Sequence, residues 1–495
     1  MGEAGTEERR DAAISIAIGV AYFALYLATL CPVVYWYDSA EYVTAAVTLG
    51  IPHPPGYPLY VLLGHVFTWL PIDPAVAVNA MSATFAAIAV SLTYVVCRQL
   101  GTGRAPALVG AGTLGGGKLF WANAVVAEVY CPAVAVVALV VFLLLRSRQR
   151  SRFALTILGA FVAGLGLGVH LSLATLGLGL TLLVWAFDDP VERPGDLGRL
   201  VGKNGFKGRV QRSVSAGFAA LMGSLIFLYL PVRAAQNPAL NFGNPSNFDR
   251  FIWVVSGGTY KGWFDSDLDV LARAGAISTA FSEQLLPVGV ALALGGLVWT
   301  WMRRPLECLA LVLMAVGNLG FFFRYQVHDL AVFFLPTTFV LCCFVAAGSQ
   351  GLGDVIARVV TPARRSMMRA LTNGALVVFA VSIALGNFRA VDMSAFRETE
   401  KFIDAMVETL PEGALILNFT TPPEWQLDAV FGMYLQKVRG QRTDVDIVIP
   451  RTPNMIDAAL QTGRPVYAYA QVAALVRGYE LAREGPIFRV LGRRQ

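Results

Sequence analysis

Long apolar runs constrain this sequence more than any other feature. A helix that crosses a membrane needs about 20 mostly apolar residues, and eleven stretches of the chain approach or exceed that length. Hydrophobic residues fill 56% of the 495 positions and charged residues only 15%, whereas about a quarter of the residues of a soluble domain are charged. The sequence therefore predicts an α-helical polytopic membrane protein.

The predicted spans are apolar throughout and are separated by short polar loops. They cover residues 12–34, 76–97, 105–122, 130–145, 153–169, 171–187, 214–232, 276–301, 306–324, 327–348 and 370–388. A further apolar stretch, 57–70, would rise only ~21 Å as a helix, less than the ~30 Å hydrocarbon core. We interpret it as an interfacial helix, which leaves an odd number of spans.

The distribution of basic residues predicts the orientation of these spans. Up to residue 388, the loops on the side of the N-terminus carry 20 Lys and Arg residues, and the loops on the other side carry six. Basic loops stay in the cytoplasm. We therefore expect a plasma (inner) membrane protein of a bacterium, with its N-terminus inside and residues 389–495 outside.

Two other classes of protein are disfavoured by composition. The net charge of +6 comes from residues spread between apolar spans, with no basic stripe interleaved with aromatics, so nucleic acid is not an expected partner. The six cysteines follow no zinc-binding or disulfide pattern. The basic residues are better explained as topology signals.

The C-terminal tail differs in kind from the rest of the chain. Three strand-like runs, ALILNF, VDIVIP and PVYAYA, alternate with helix-like segments. Such alternation is typical of an α/β domain. We predict a transmembrane domain over 1–388 and a small extracytoplasmic α/β domain over 389–495.

The loop after the first span, YDSAEYVTAAVTLGIPHPPGYPLY, is unusually rich in polar and rigid residues. Asp38 and Glu41 are three positions apart, so both can share one face of a helix. They could form a capping box that only starts the helix. Carboxylates at the lip of a membrane are functional candidates by default, and the prolines would hold the loop stiffly, which suits catalysis.

All four histidines and two arginines fall on the predicted outer side. The spacing of the histidines fits no metal-binding motif, so no metal is predicted. Arg233 and Arg324 each end an apolar span there, against the positive-inside trend. They could extend to lipid headgroups, or their guanidinium groups could bind a phosphate at the membrane surface.

Two motifs in this loop suggest a family. The run Asp38-Ser39-Ala40-Glu41 directly after the first span, followed by HPPGYPLY from His53 to Tyr60, resembles the protein O-mannosyltransferase-like membrane family. It is also similar to the wider GT-C glycosyltransferases. The runs AEVYCP, GLGLGVHLSL, YLPVRAAQNP and RYQVHDLAVFFLP resemble further family blocks, so the likeness extends over most of 12–348.

The resemblance implies a GT-C-like fold and an enzyme that moves a sugar, mannose favoured, from a polyprenyl or dolichyl phosphate to an acceptor hydroxyl. The acceptor would be a protein Ser/Thr or a glycan, reached outside the cytoplasm. No cofactor other than this lipid-linked donor is expected. A lipid-linked glycan ligase or polymerase and a non-catalytic transporter remain alternatives.

The resemblance and the positions of polar residues on the predicted outer side together assign roles to particular residues. The acid of the first outer loop is the expected general base, which here is Asp38, with Glu41 as its catalytic partner. The candidate donor- or acceptor-binding residues lie in the outer loops and at the span ends: His53, Tyr57, Glu128, Tyr130, His170, Arg233, Arg324 and His328.

Overall fold

Helices account for most of the chain in its computed structural model. The described residues are 3–187, 196–197, 205–260, 262–264, 268–327, 329–417, 431–448, 452–468, 476 and 478–494. The first nine helices are α1 (Glu3–Ala28), α2 (Ser39–Thr48), α3 (Pro58–Phe67), α4 (Pro74–Gln99), α5 (Arg104–Gly116), α6 (Lys118–Ala124), α7 (Tyr130–Arg150), α8 (Phe153–Gly166) and α9 (Gly177–Trp185).

The next seven helices complete the helical bundle, and three more belong to the tail. The former are α10 (Phe206–Ser224), α11 (Tyr229–Ala234), α12 (Phe248–Val255), α13 (Val270–Arg303), α14 (Pro305–Phe322), α15 (Leu335–Val359) and α16 (Arg365–Val391). The latter are α17 (Glu398–Thr409), α18 (Phe431–Lys437) and α19 (Pro453–Gln461).

The predicted count of eleven spans is corrected by the structure. Within the described residues, eight helical segments are long and apolar enough to cross a membrane. The predicted spans 105–122, 153–169 and 171–187 instead contain shorter helices. The stretch 57–70 contains the ten-residue helix α3, so its shortness is confirmed, while its place at the membrane surface stays a prediction.

The break between α5 and α6 has an identifiable cause. At Gly117 the backbone is extended, and the side-chain oxygen of Gln284 accepts a hydrogen bond from Leu119 N (2.9 Å). A Cβ on Gly117 would lie 1.6 Å from the Gln284 Nε2 atom. A side chain at this position would displace the Gln284 amide, and the extended backbone of Gly117 divides one predicted span into two short helices.

The tail forms the predicted α/β domain with a five-stranded sheet. Its strands are β1 (Leu415–Leu417), β2 (Asp446–Val448), β3 (Val466–Ala468), β4 (Tyr479–Glu484) and β5 (Ile487–Arg493), in the order β2-β1-β3-β5-β4. β1 pairs in parallel with β2 and β3, whereas β5 pairs antiparallel with β3 and β4. The three predicted strand runs are β1 to β3, and the final hairpin was not predicted.

Ion pairs bring most of the basic loops together at one end of the bundle. Asp11 bonds Arg98 (3.0 Å) and Arg104 (2.9 Å). Further pairs at this end join Glu8 to Arg146 and Arg150, Arg148 to Glu307, and Arg303 to Asp354. The loop after α1 and the C-terminal domain lie at the opposite end, where they share one apolar cluster.

Candidate active site

The chain leaves α1 and enters α2 through a short connector, residues 29–38. Asn79 of α4 holds this connector by donating to the carbonyls of Cys31 (2.7 Å) and Val33 (3.0 Å). Asp38 occupies the N-cap position of α2, but its side chain makes no capping hydrogen bond. Glu41 lies in the first turn, and its carboxylate binds His53 instead of the N-cap. The capping-box interpretation is therefore wrong.

Glu41 fixes both the backbone and the ring of His53. Its Oε1 accepts from His53 N (2.9 Å), and its Oε2 lies 2.5 Å from Nδ1. The other ring nitrogen, Nε2, is 2.9 Å from the Tyr57 hydroxyl and 3.9 Å from Asp38 Oδ2. A carboxylate on one nitrogen orients an imidazole and stabilises its protonated form. His53 thus links the buried acid Glu41 to the second acid, Asp38.

The HPPGYPLY run returns the chain towards α2. Gly56 has φ +85°, and a Cβ there would lie 2.7 Å from Leu230 Cδ2, so both the backbone and the space require glycine. Tyr57 follows in the left-handed region at φ 41°, and α3 starts at the next residue. A non-glycine residue held at positive φ is uncommon and clusters at functional sites. This tight turn places the Tyr57 hydroxyl within hydrogen-bond distance of His53 Nε2.

Exposure separates the two acids. The side chain of Asp38 is 35% exposed, whereas those of Glu41 and His53 are 5% and 4% exposed. Asp38 is therefore the member of the group that a substrate can reach. Glu41 and His53 lie behind it and can act only through it or through Tyr57.

The protonation of the group follows from these surroundings. Burial and the neighbouring charge of Glu41 raise the pKa of Asp38 to about 6, although the charge of His53 opposes the rise. For His53, burial lowers the pKa, but the charges of Glu41 and Asp38 outweigh it and raise the pKa to about 9. Near neutral pH the site therefore holds an imidazolium beside a carboxylate that accepts a proton readily.

Two further predicted residues, His170 and Tyr130, approach the group through an aromatic layer. The ring of His170 lies 5.9 Å from that of Tyr57 and 5.4 Å from that of Tyr130, measured between centroids. Ser172 N donates to His170 Nδ1 (3.1 Å). Burial and the charge of His53 lower the pKa of His170 to about 3, so this ring is neutral.

Glu128 faces the same site from the loop before α7. Burial, followed by the charges of Asp38 and Asp329, raises its pKa well above the usual range. Its Oε2 atom is buried and has no hydrogen-bond partner within the described part of the chain. Its surroundings therefore favour the protonated form of Glu128.

The two predicted phosphate-binding arginines differ. Arg233 caps the end of α2, donating from Nε to Leu49 O (2.8 Å) and from Nη2 to Thr48 O (3.1 Å), and it also contacts Gln236. These contacts give it a structural role, so a phosphate could use only its remaining N–H groups. Arg324 is exposed and makes no hydrogen bond or ion pair with a described residue. His328 lies outside the described residues.

Three residues near the site were missed by sequence reasoning. The charge of Asp329 raises the pKa of Asp38, and Tyr260 and Tyr325 interact electrostatically with Asp38 or Asp329. Asp329 follows the predicted His328 in one of the family-like blocks, which was the available signal. Tyr260 belongs to a short 3₁₀ segment, Gly258–Tyr260, whose packing no sequence pattern indicated.

Asp38, Glu41 and His53 also form a group that could hold a metal ion, with one ligand atom of each within 4.8 Å of the others. Sequence reasoning predicted no metal. The absence of a metal stays a prediction.

Comparison with known proteins identifies the part of the chain that carries most of this site. Residues 38–192 match the TMEM260 N-terminal domain family, described as Protein O-mannosyl-transferase TMEM260 N-terminal domain. The resemblance seen in the sequence is confirmed. The TMEM260-like segment begins at Asp38 itself and includes Glu41, His53, Glu128 and His170.

One curated relative and two solved structures extend this result. Protein O-mannosyl-transferase TMEM260 of Mus musculus is 33% identical over 159 residues, which are 30% of this chain and only 22% of the mouse protein. ArnT from Cupriavidus metallidurans bound to undecaprenyl phosphate has a TM-score of 0.60 at 12% identity, with 97% of each chain covered. Its apo form has a TM-score of 0.59 at 12% identity, covering 99% of this chain and 98% of that one.

The two ArnT structures establish the fold. Their coverage includes the TMEM260-like segment, the rest of the helical bundle and the C-terminal sheet. The predicted GT-C-like membrane fold with a small C-terminal α/β domain is therefore confirmed. At 12% identity the likeness describes the fold alone.

Proposed function

We propose that this protein is a membrane glycosyltransferase that moves a sugar, mannose favoured, from a polyprenyl- or dolichyl-phosphate donor to an acceptor hydroxyl. The observation that carries the proposal is the geometry of Asp38: a half-buried but accessible carboxylate with a pKa of about 6, next to the buried Glu41–His53 pair. The match to an O-mannosyltransferase family over 38–192 supports the reaction class. The similarity to an ArnT bound to undecaprenyl phosphate supports a lipid-phosphate donor.

The chemical step needs a base and a stabilised leaving group. Asp38 accepts the proton of the acceptor hydroxyl, whose oxygen forms a bond to the anomeric carbon of the donor. The bond from that carbon to the phosphate oxygen breaks, and the lipid phosphate leaves with the electron pair. Glu41 holds His53 as an imidazolium, whose charge lowers the pKa of Asp38 and so favours its ionised form. Arg324 is the candidate contact for the phosphate.

The acceptor is proposed to be a protein Ser/Thr hydroxyl, and a glycan hydroxyl would make the protein a ligase or polymerase.

Orientation is part of the proposal. The excess of basic residues at the opposite end of the bundle favours a site on the outer side of a bacterial plasma membrane. A transporter would bind its substrate near the middle of the bilayer. Here the acids lie at the end of the bundle, beside the C-terminal domain.

The test is transfer by the purified protein, with Asp38→Asn as the decisive variant. Defined polyprenyl-phosphate sugars are incubated with Ser/Thr peptides or glycans, and the products are identified by mass. Asp38→Asn should bind donor but lose turnover by about 10²–10⁴-fold, as expected for loss of a general base.

A matched control for this variant is Asp73→Asn. Asp73 is a true N-cap, whose carboxylate accepts from Ala75 N (2.8 Å) at the start of α4. Asparagine caps a helix nearly as well as aspartate, so this variant should transfer sugar at the normal rate. Normal turnover by a folded Asp38→Asn protein would remove Asp38 from the mechanism, and absence of transfer from every donor by the unmodified protein would reject the function.

A further inference from the structure

The C-terminal domain forms hydrogen bonds with the connector, residues 29–38, that carries Asp38. Thr399 of α17 is fully buried, and its Oγ1 donates to Val34 O (2.5 Å). Met393 N donates to Thr29 O (3.0 Å) at the start of the same connector. These two bonds tie the tail to both halves of the segment between α1 and α2.

An aromatic trio strengthens this contact two residues before Asp38. The Trp36 ring meets Phe402 of α17 and Phe431 of α18 edge to face, with centroid distances of 5.7 and 5.8 Å. Phe402 and Phe431 also contact each other at 5.7 Å. Aromatic pairs of this geometry stabilise a contact beyond the burial of their surface.

The trio belongs to an apolar cluster that continues from α2 into the tail's sheet. Its buried members include Ala40, Tyr42 and Val43 of α2, Phe431 of α18 and Ile416 of β1. Domains that share a large hydrophobic contact do not move freely against each other. The tail and α2 are therefore one mechanical unit.

The side chain of Asp38 makes no capping hydrogen bond, and its ion pair with His53 Nε2 is long, at 3.9 Å. The residue between it and Trp36, Tyr37, is held at φ 63°. The position of the carboxylate is thus set by the backbone on its two sides, which are Trp36 in the trio and α2.

We propose that the C-terminal domain is a positioning element for the reaction, and that Trp36, held between Phe402 and Phe431, is the positioning residue through which it acts on Asp38. The inference rests on the proposed function for its kinetic consequence. Errors of about 1 Å in a catalytic group can reduce a rate by up to about 10²-fold. Loosening the trio should therefore lower kcat and leave donor binding intact.

The kinetic test compares Trp36→Ala, Phe402→Ala and the double variant in the full chain. We expect each single variant to lose kcat by about tenfold or more, with the donor KM unchanged. The double variant should lose less than the product of the two single losses, because both changes remove the Trp36–Phe402 contact. Full kcat in Trp36→Ala, or additive losses, would overturn the proposal.

Tyr479→Leu is the control for general destabilisation of the tail. Tyr479 is buried in a separate cluster on β4 and bonds Asp457 (2.8 Å), away from α2. If this variant reduces kcat as much as Trp36→Ala, the stability of the tail rather than the trio controls the rate, and the proposal is wrong.

A second measurement does not depend on turnover. The six native cysteines are buried, so the thiol of Asp38→Cys can be alkylated selectively with a neutral reagent. Adding Phe402→Ala should increase the alkylation rate, because the connector is released, whereas adding Tyr479→Leu should not. An unchanged rate with Phe402→Ala would contradict the inference. If the unmodified protein transfers no sugar, the proposed function fails and this comparison alone decides the inference.

Discussion

Asp38 and Glu41 show how two identical functional groups acquire different properties within one turn of helix. Glu41 is buried and bonded to His53, so its charge serves to orient and protonate the ring. Asp38 is a third exposed, and its pKa is raised to about 6. The spacing of three residues was compatible with a capping box, and only the contacts of the side chains excluded it.

The pH dependence of kcat/KM should report this pair. Asp38 must be ionised to act as a base, so activity should fall as the pH decreases through about 6. The imidazolium of His53 is the charge partner of Asp38, so activity should also fall as the pH increases through about 9 and His53 loses that charge. Initial rates measured from about pH 4 to about pH 11 should give a bell-shaped curve. Its two limbs report the titration of Asp38 and His53 as an interacting pair.

Glu41→Gln is the informative variant for this profile. It removes the carboxylate that outweighs the effect of burial on His53, so the pKa of His53 should decrease and the alkaline limb should move to lower pH. An alkaline limb at the same pH in Glu41→Gln would show that His53 does not produce it.

At the scale of the element, α2 is held at both ends by contacts distant in sequence. The connector and the C-terminal domain fix its start, and Arg233 of α11 caps its last carbonyls. The amphipathic pattern of the α2 sequence predicts neither the contacts at its start nor the arginine cap at its end. Arg233 was selected for its unusual position against the charge trend, and the structure accounts for that position by the cap.

The two outer arginines should therefore respond differently to substitution. Arg233→Ala leaves the carbonyls of Thr48 and Leu49 without their donor and should destabilise the fold by about 1.5–3 kcal/mol. Arg324→Ala removes an exposed side chain and should change stability by less than about 0.5 kcal/mol. Thermal unfolding in detergent measures this difference.

Donor affinity provides the second half of this comparison. If Arg324 binds the lipid phosphate, Arg324→Ala should raise the donor KM while the protein keeps its stability. Unchanged donor affinity and turnover would make Arg324 a lipid anchor only. Equal unfolding temperatures for the two variants would argue against the capping role of Arg233.

At the scale of the whole molecule, the two ends of the bundle have opposite character. At one end, basic residues of the loops form ion pairs with acidic side chains; these basic residues include Arg98, Arg104, Arg146 and Arg303. The other carries the candidate site and the C-terminal domain. This separation agrees with the orientation predicted from the basic loops, although which end faces the cytoplasm stays a prediction.

Labelling of single introduced cysteines in intact cells tests that orientation. Cysteines at the exposed positions Ile72, before α4, and Glu412, in the tail, should react with an impermeant thiol reagent from outside. A cysteine at the exposed Arg152, at the opposite end, should react only after the membrane is ruptured. The native cysteines are buried and should give little background. The reverse pattern would invert the topology and place the site in the cytoplasm.

The sequence by itself determined the membrane character, the α/β tail and the segment that holds the acids, and its family resemblance implied the GT-C-like fold. These properties are local or additive: apolar length, strand-like runs and the HPPGYPLY motif can each be recognised without knowing what they contact. The helix count was wrong at three predicted spans, and in one of them, 105–122, the extended Gly117 beside Gln284 interrupts a continuous apolar run.

Only the tertiary structure decided what each candidate residue does. Contacts between separate elements pair Glu41 with His53, leave Asp38 partly exposed and cap α2 with Arg233. They also bring Asp329 close to Asp38, although the two residues are almost three hundred positions apart in the sequence. The pKa of a group and its access to substrate are properties of its surroundings rather than of its type. Those surroundings come into existence when α2, the HPPGYPLY turn and the C-terminal domain pack around the same connector.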